Sequence, residues 1–213
     1  MARHDFVYVE KREYLPVKKE LIELIEDVQK DLRNRFTFSY KWIGSTHRKM
    51  ITRDKKSNIG YDFDLDIYPN IEYTEYKPKQ LRNIFINTIN KYAHQYGYGT
   101  CENSTRVLTI KVKDRKNSKI LHSCDIAICF EFQNGVCRYI HYNKKQNCFE
   151  WQKRPNPCEV EEKVKWLKAE TDEGWNEVKK RYLQMKNNNT NENKKSRSLY
   201  VEAVSAVYNQ YKI

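Results

Sequence analysis

Three aspartates alternate with apolar residues in one short segment, and this pattern is the clearest sign of chemistry in the chain. Asp62, Asp64 and Asp66 are separated by single apolar residues. In a β-strand, alternate side chains point to the same face, so all three carboxylates would lie together. Like charges at this spacing repel, and a divalent cation with oxygen ligands is the usual way to stabilise them. The segment therefore predicts a metal site on a strand.

Two other interpretations of the acidic segment are open. An exposed edge strand can carry charges that prevent aggregation, but that role leaves the glycine-serine pair upstream unexplained. A calcium-binding loop combines a central glycine with a glutamate near its end, and the segment lacks this combination. The periodicity also leaves open whether Asp62 and Asp64, or Asp64 and Asp66, form the metal pair. Asp64 belongs to both pairs.

The glycine-serine pair ends a predicted strand upstream of the aspartates. Aromatic residues occupy every second position from 36 to 42, which places their side chains on one face of that strand. Gly44 lets the backbone approach a ligand closely, and Ser45 adds a hydroxyl beside the amides of the turn. The pair predicts a pocket of the size of a phosphate group.

A further aspartate lies inside a segment that is otherwise apolar. Residues 124–128 read Cys-Asp-Ile-Ala-Ile, so Asp125 would stand among apolar neighbours in a strand. A buried carboxylate without a partner is costly, and the strand offers no arginine beside it. A metal ion shared with Asp62 and Asp64 would supply the partner, and a lysine from elsewhere in the fold is the structural alternative.

Gly44-Ser45, the Asp-x-Asp strand at 62–64 and Asp125 in a later strand together resemble the nucleotidyltransferase superfamily typified by DNA polymerase beta. The resemblance covers roughly residues 36–132, followed by a helical C-terminal part. It implies an α+β fold with a mixed β-sheet of about five strands, helices packed on the sheet, and C-terminal helices. We expect a nucleotidyltransferase core over residues 1–155 and a helical portion over 156–213.

The resemblance also implies an activity. Such enzymes move a nucleoside monophosphate from a nucleoside triphosphate such as ATP to an acceptor hydroxyl and release pyrophosphate. Asp62, Asp64 and Asp125 would bind two Mg²⁺ ions, for which Mn²⁺ could substitute, and the strand entry at Gly60-Tyr61 favours Asp62 over Asp66. The acceptor stays open between a small molecule, a nucleotide, RNA and a protein.

The resemblance further implies contacts to the triphosphate. In relatives a short helix follows the glycine-serine pair, with its N-terminal amides toward the phosphates. Gly44, Ser45 and Arg48 are the residues implied there, although Arg48 could equally be solvated in a loop. A C-terminal helix can add a lysine and a serine, for which Lys195 and Ser198 are the candidates.

Two aromatic residues are candidates for stacking on the base of the nucleotide. Tyr142 and Trp151 lie in or beside the segment 143–157, which is rich in lysine, asparagine and aromatics and is predicted to be a long loop. Aromatics that line a seam between domains are the alternative interpretation.

Composition limits the class of protein. A net charge of +12 over 213 residues would attract polyanions, so a catalytically inactive protein of the same fold that binds RNA or other nucleic acid is the alternative function. No apolar run of about 18 residues is present, and the N-terminus lacks the apolar stretch of a signal peptide. We therefore expect a cytoplasmic protein without a membrane partner, of unknown oligomeric state.

Periodicity and turn residues predict the other elements. A first helix would begin with Pro16 in its first turn, and an asparagine-rich linker would separate the last two helices. The predicted helices are 16–33, 78–96, a helical stretch after 157 and a last helix from about Ser198, and the predicted strands are 105–113, 119–132 and 136–142.

Overall fold

The protein contains a mixed β-sheet of seven strands in a computed structural model that describes residues 4–155 and 158–212. The strands of the described chain are β1 (Phe6–Tyr8), β2 (Thr37–Trp42), β3 (Thr52–Asp54), β4 (Ile59–Asn70), β5 (Glu102–Asn103), β6 (Leu108–Asp114), β7 (Lys119–Glu131), β8 (Cys137–Asn143) and β9 (Cys148–Lys153). The helices are α1 (Lys11–Leu32), α2 (Gly44–Arg48), α3 (Pro78–Ala93), α4 (Cys158–Glu170), α5 (Gly174–Asn188) and α6 (Ser196–Tyr211).

The chain divides into two units. The larger unit comprises Val9–Ile51 and Asn58–Arg154, and it contains the sheet with α1, α2 and α3. The smaller unit comprises the N-terminal residues through Tyr8, Thr52–Ser57 and the chain from Pro155. The smaller unit thus groups the C-terminal helices with two short segments from earlier in the chain. The division into a catalytic core and a helical portion at residue 155 stays a prediction.

The order of strands in the sheet is β2-β4-β7-β6-β5. β4 and β7 are parallel, whereas β2 with β4, β6 with β7, and β5 with β6 are antiparallel. β8 pairs with the end of β7, and β9 pairs with β8. The α+β class and the mixed sheet are as predicted, and the sheet is larger than the predicted five strands.

One face of the sheet packs against helices α1 and α3. Phe63, Leu65 and Ile67 of β4 are at most 1% exposed and join the apolar core with residues of both helices. Each such side chain contributes about 1.5–3 kcal/mol when it is fully buried. Because side chains alternate along a strand, the same packing directs the aspartates of β4 to the opposite face.

Several predicted elements agree closely with the structure, and their ends are marked by turn residues. α3 begins at Pro78 and continues as a 3₁₀ turn to Tyr96, after which Gly97 adopts a left-handed conformation with φ 76°. The short helix implied after the glycine-serine pair is α2. β7 ends one residue before the predicted limit.

Three element predictions are wrong. α1 begins at Lys11, so Pro16 lies inside it rather than in its first turn; Tyr14 is buried and extends the apolar stripe of the helix toward the N-terminus. The predicted loop 143–157 contains β9, which completes a hairpin with β8. α5 extends to Asn188 and α6 begins at Ser196, which shortens the predicted linker.

The smaller unit combines a two-stranded sheet with the last three helices. β1 and β3 are antiparallel, and Tyr8 of β1 donates a hydrogen bond from its hydroxyl to the carbonyl of Lys179 in α5 (2.8 Å). Lys186 of α5 is 8% exposed, and its Nζ lies 2.7 Å from Thr52 Oγ1. Among the helices of the described chain, none is long and apolar enough to cross a membrane.

Candidate active site

The parallel pairing of β4 with β7 places two aspartates side by side. Asp64 is directly opposite Asp125, and Asp62 is opposite Ser123. Residues that face each other across neighbouring strands project from the same side of the sheet. The structure therefore brings Asp62, Asp64 and Asp125 together on the face that the helices α1 and α3 leave uncovered.

Burial raises the pKa of both central carboxylates, Asp64 and Asp125. The pKa of Asp64 is raised from 3.8 to about 6, first by burial and then by the negative charges of Asp125 and Asp62. The Arg48 guanidinium and the backbone amide of Ser45 act in the opposite direction. Burial also raises the pKa of Asp125, while a hydrogen bond from Thr109 lowers it. Burial is therefore the main cause in both cases, and the negative charge of Asp62 adds to it.

The glycine-serine bend packs directly against Asp64. Gly44 has a left-handed φ of +57°, and a Cβ at this position would lie 2.3 Å from Oδ2 of Asp64. The amide of Ile43 donates to the carbonyl of Asp64 (3.0 Å), and the amide of Asp64 donates to Thr46 Oγ1 (3.1 Å). Only glycine can occupy a position that has a left-handed backbone and lies so close to another side chain. The bend is thus fixed beside the carboxylates.

Two buried hydroxyls orient two of the carboxylates. Ser123 Oγ donates a short hydrogen bond to Oδ1 of Asp62, and Thr109 Oγ1 donates to Oδ1 of Asp125 at 2.6 Å. Both hydroxyl residues are at most 9% exposed. They were not predicted, because their role depends on the pairing register of three strands. Ser123 lies two residues before Asp125 in β7, which is a weak sequence signal, whereas Thr109 lies in β6 without a site aspartate.

Several solved structures are similar to the fold of this chain. Vibrio cholerae DncV in a GTP-bound form superposes with a TM-score of 0.58 at 14% identity, over 94% of this chain and 52% of that chain. Escherichia coli DncV bound to 3′-deoxy GTP gives 0.56 at 16% identity, over 94% and 54%. The chain has the polymerase beta-like nucleotidyltransferase fold.

At these identities the likeness concerns the fold, and this chain spans about half the length of the two DncV chains. The V. cholerae DncV cyclic AMP-GMP synthase with nonhydrolyzable GTP is a third similar structure, with a TM-score of 0.51 at 16% identity over 84% of this chain and 46% of that chain. No model of a known protein family matches the sequence, and no curated protein matches it either.

The aspartate that sequence periodicity left as an alternative ligand has another partner in this nucleotidyltransferase fold. Asp66 is fully buried, and both of its oxygens receive hydrogen bonds from the Arg154 guanidinium, with Nη2 at 2.9 Å from Oδ1 and a shorter contact from Nη1 to Oδ2. The hydroxyl of Tyr68 also lies 3.2 Å from Oδ2. Asp66 thus has an ionic partner of its own in Arg154, and the choice of Asp62 and Asp64 as the metal pair stays a prediction.

The donor set suits a hard divalent cation. Carboxylate oxygens are the ligands that Mg²⁺ prefers, and a cation would relieve the repulsion between Asp64 and Asp125. In residues 4–155 and 158–212, however, no three His, Cys, Asp or Glu side chains are arranged as a ready metal site. One oxygen of Asp62 is taken by Ser123. The binding of two ions by Asp62, Asp64 and Asp125 therefore stays a prediction.

The structure does not bring the two predicted base-stacking residues to the aspartates. Trp151 is paired with Ile140 and packs against the apolar core, and Tyr142 is paired with Phe149 on the same side of the hairpin. This is the side that faces the helices, opposite the aspartates. The placement corrects the predicted role of Tyr142 and Trp151, which rested on a loop where the chain forms β9.

The remaining predicted phosphate contacts lie in different parts of the chain. Arg48 ends α2 and lies close enough to Asp64 to lower its pKa. Lys195 directly precedes α6 in the smaller unit, and its carbonyl accepts a hydrogen bond from the amide of Ser198 (2.9 Å). A role for Lys195 and Ser198 at the triphosphate stays a prediction.

Proposed function

We propose that this chain is a metal-dependent nucleotidyltransferase that moves a nucleoside monophosphate from a nucleoside triphosphate to an acceptor hydroxyl. One observation carries the proposal. Asp64 and Asp125 are paired across the two parallel strands, and a left-handed glycine is packed against Asp64. Aspartates that only protected a sheet edge would not need a glycine at contact distance, and a buried like-charge pair without a ligand is unfavourable.

The proposed reaction is a single displacement at phosphorus. The acceptor oxygen forms a bond to the α-phosphorus and loses its proton, the bond from the α-phosphorus to the oxygen bridging to the β-phosphate breaks, and pyrophosphate leaves. Bound Mg²⁺ would supply charge neutralisation on the triphosphate and would lower the pKa of the acceptor hydroxyl. Asp62, Asp64 and Asp125 would hold it. Because such transfer depends on position and charge, no cysteine or histidine nucleophile is required.

The hydrogen bonds around the aspartates support this role. Ser123 and Thr109 each occupy one oxygen of a carboxylate and thereby restrict its rotation, as partners of metal ligands do in other sites. Each carboxylate keeps a second oxygen for a ligand. Asp64 has to be ionised to bind a cation, and its pKa of about 6 allows this at neutral pH.

The triphosphate end of the proposed site lies at the bend. Gly44 and Ser45 would bring backbone amides to the phosphates, with Arg48 adding a positive charge. A contact of Lys195 and Ser198 with the triphosphate stays the expectation that the resemblance implies. Because Trp151 packs against the core and Tyr142 is paired with Phe149 on the same side of the hairpin, we assign no residue to the base, and the preferred triphosphate is left to experiment.

The proposed function is tested by incubation with each of the four labelled ribonucleoside triphosphates and Mg²⁺, alone and with small-molecule, nucleotide, RNA and protein acceptors. V. cholerae DncV, which has a similar structure, is a cyclic AMP-GMP synthase that binds GTP and nonhydrolyzable GTP, so nucleotide acceptors are tested first. We expect release of pyrophosphate and a labelled product that both require the metal. Salt-sensitive RNA binding without any metal-dependent consumption of triphosphate would contradict the proposal and favour the non-catalytic alternative.

A further inference from the structure

Arg154 is held in place by several groups at the end of the acidic strand. Its guanidinium contacts both oxygens of Asp66, and Nη2 also lies 3.4 Å from Cys129 Sγ. The guanidinium stands 5.7 Å from the centre of the Tyr139 ring, and the Arg154 amide donates to the carbonyl of Cys137 (2.8 Å). The residue thus ties the end of β9 to β4, β7 and β8.

The ion pair involves an aspartate that lies beside the proposed metal ligands. Asp62 and Asp66 each lie two residues from Asp64 on the same face of β4, at about 3.3 Å of rise per residue. If strand geometry alone decided, a cation bound to Asp64 could therefore take either Asp62 or Asp66 as its second ligand. The two neighbours differ in their partners: Asp62 receives a neutral hydroxyl from Ser123, whereas Asp66 receives the full charge of Arg154.

The geometry points to a positioning role for Arg154: by covering both oxygens of Asp66, it confines divalent-cation binding to Asp62, Asp64 and Asp125. This inference rests on the proposed nucleotidyltransferase function. A guanidinium suits the task because its planar fork meets both carboxylate oxygens at once, which the single ammonium of a lysine does not. Its positive charge also repels a cation from this end of the strand.

A purely structural role makes different predictions. Asp66 is fully buried and the Arg154 side chain is 24% exposed, so loss of the arginine leaves a buried carboxylate unpaired and destabilises the fold. If that were the whole effect, cation binding by the folded fraction would be unchanged. A measurement of cation binding therefore separates the two roles.

The test measures Mn²⁺ binding by the loss of its free electron paramagnetic resonance signal, without nucleotide, in folded protein. We expect Arg154→Met to bind Mn²⁺ more tightly than wild type because Asp66 becomes available as a ligand. The double variant Asp66→Asn/Arg154→Met should return to wild-type binding. Equal binding by Arg154→Met and wild type, at whatever affinity, would overturn the inference.

Two further variants keep the test decisive if Arg154→Met does not fold. Arg154→Lys retains the charge but covers one oxygen, so it should bind Mn²⁺ more tightly than wild type, and binding equal to wild type would overturn the inference. Asp66→Asn alone should leave Mn²⁺ binding unchanged, whereas a loss of binding would identify Asp66 as a ligand and overturn the inference.

Pyrophosphate release is measured in parallel. Arg154→Met should lower the rate by about 100-fold, the cost of a misplacement of about 1 Å at the reacting centre, because a cation drawn toward Asp66 leaves the position that the transfer requires. The double variant should recover most of the rate. If wild type releases no pyrophosphate, the proposed function fails, yet the Mn²⁺ comparison still decides the role of Arg154.

Discussion

Asp64 combines burial with two negative neighbours, and this makes the metal-free protein sensitive to pH. Its pKa is raised from 3.8 to about 6, so the native state binds this proton more tightly than the unfolded state does. Stability therefore falls as the pH rises from about 4 to about 6 and stays reduced above. A shift of this size corresponds to about 3 kcal/mol.

Replacement of Asp64 by asparagine should remove this penalty. We expect Asp64→Asn to be more stable than wild type at pH 7 without metal, by up to about 3 kcal/mol, and the difference should shrink toward pH 4. Urea denaturation across this range measures it. Mg²⁺ should stabilise wild type and leave the variant unaffected; a variant less stable than wild type at pH 7 would contradict the charge repulsion.

His122 should have the opposite pH dependence in the same range. It is 8% exposed, and burial lowers its pKa from 6.5 to about 4, so the unfolded state binds the proton more tightly. Stability conferred by the neutral ring is complete above pH 6.5 and is lost as the pH falls toward 4, by about 3 kcal/mol. His122→Gln should lose less stability than wild type between pH 6.5 and pH 4, as measured by urea denaturation. The same dependence of the free energy of unfolding on pH in both proteins would contradict this prediction.

Between pH 4 and 6.5, Asp64 and His122 change the free energy of unfolding in opposite directions. The stability of the wild type would therefore vary little with pH in this range. Each contribution is visible only as the difference between wild type and the matching variant. The residue types at both positions are plain in the sequence, but burial and neighbouring charges, which set the shifts, depend on the fold.

At the scale of elements, the site depends on the packing of the bend at Gly44 against Asp64 of β4. Gly44→Ala should cost about 1–2 kcal/mol for its left-handed backbone and about 1–3 kcal/mol more for the conflict with Asp64, with loss of activity. Gly135→Ala is the matched control, because Gly135 has a φ of 75° and open space around its Cβ position. Thermal unfolding and pyrophosphate release compare the two, and equal effects would contradict the packing argument.

Strong periodicity made some elements predictable. The stretch that forms β4 alternates polar and apolar residues, and α3 is marked by a proline at its start and a glycine after its end. β9 was missed because its six residues are stabilised by pairing with β8, which local sequence does not reveal. Pro16 lies inside α1, where a proline removes one hydrogen bond and crowds the carbonyl four residues earlier, so local rules place it in the first turn instead.

The site was predictable in residue type but not in arrangement. Asp62, Asp64 and Asp125 could be named from alternation and apolar context, and the structure places them together. The separation of Asp66 by Arg154 depends on a contact across 88 positions of sequence. The hydroxyls of Thr109 and Ser123 and the orientation of Trp151 depend on strand register, which a shift of one residue would reverse.

At the scale of the whole molecule, topology persists where sequence similarity is faint. The similar structures share 14–16% identity with this chain and superpose with TM-scores of 0.51–0.58, so the fold is preserved where few residues are identical. The net charge of +12 adds a general attraction for phosphates that salt weakens. The aspartates are therefore the part of the molecule that distinguishes catalysis from polyanion binding.

The most direct test compares Mg²⁺-dependent pyrophosphate release by wild type, Asp64→Asn and Asp172→Asn. Asp172 is an exposed aspartate in the turn before α5, and its replacement makes the same chemical change away from the site. We predict release by wild type and Asp172→Asn only with Mg²⁺, and a loss of at least about 10³-fold in Asp64→Asn, equivalent to about 4 kcal/mol of transition-state stabilisation, with the fold intact. Release by Asp64→Asn at the wild-type rate would contradict the account.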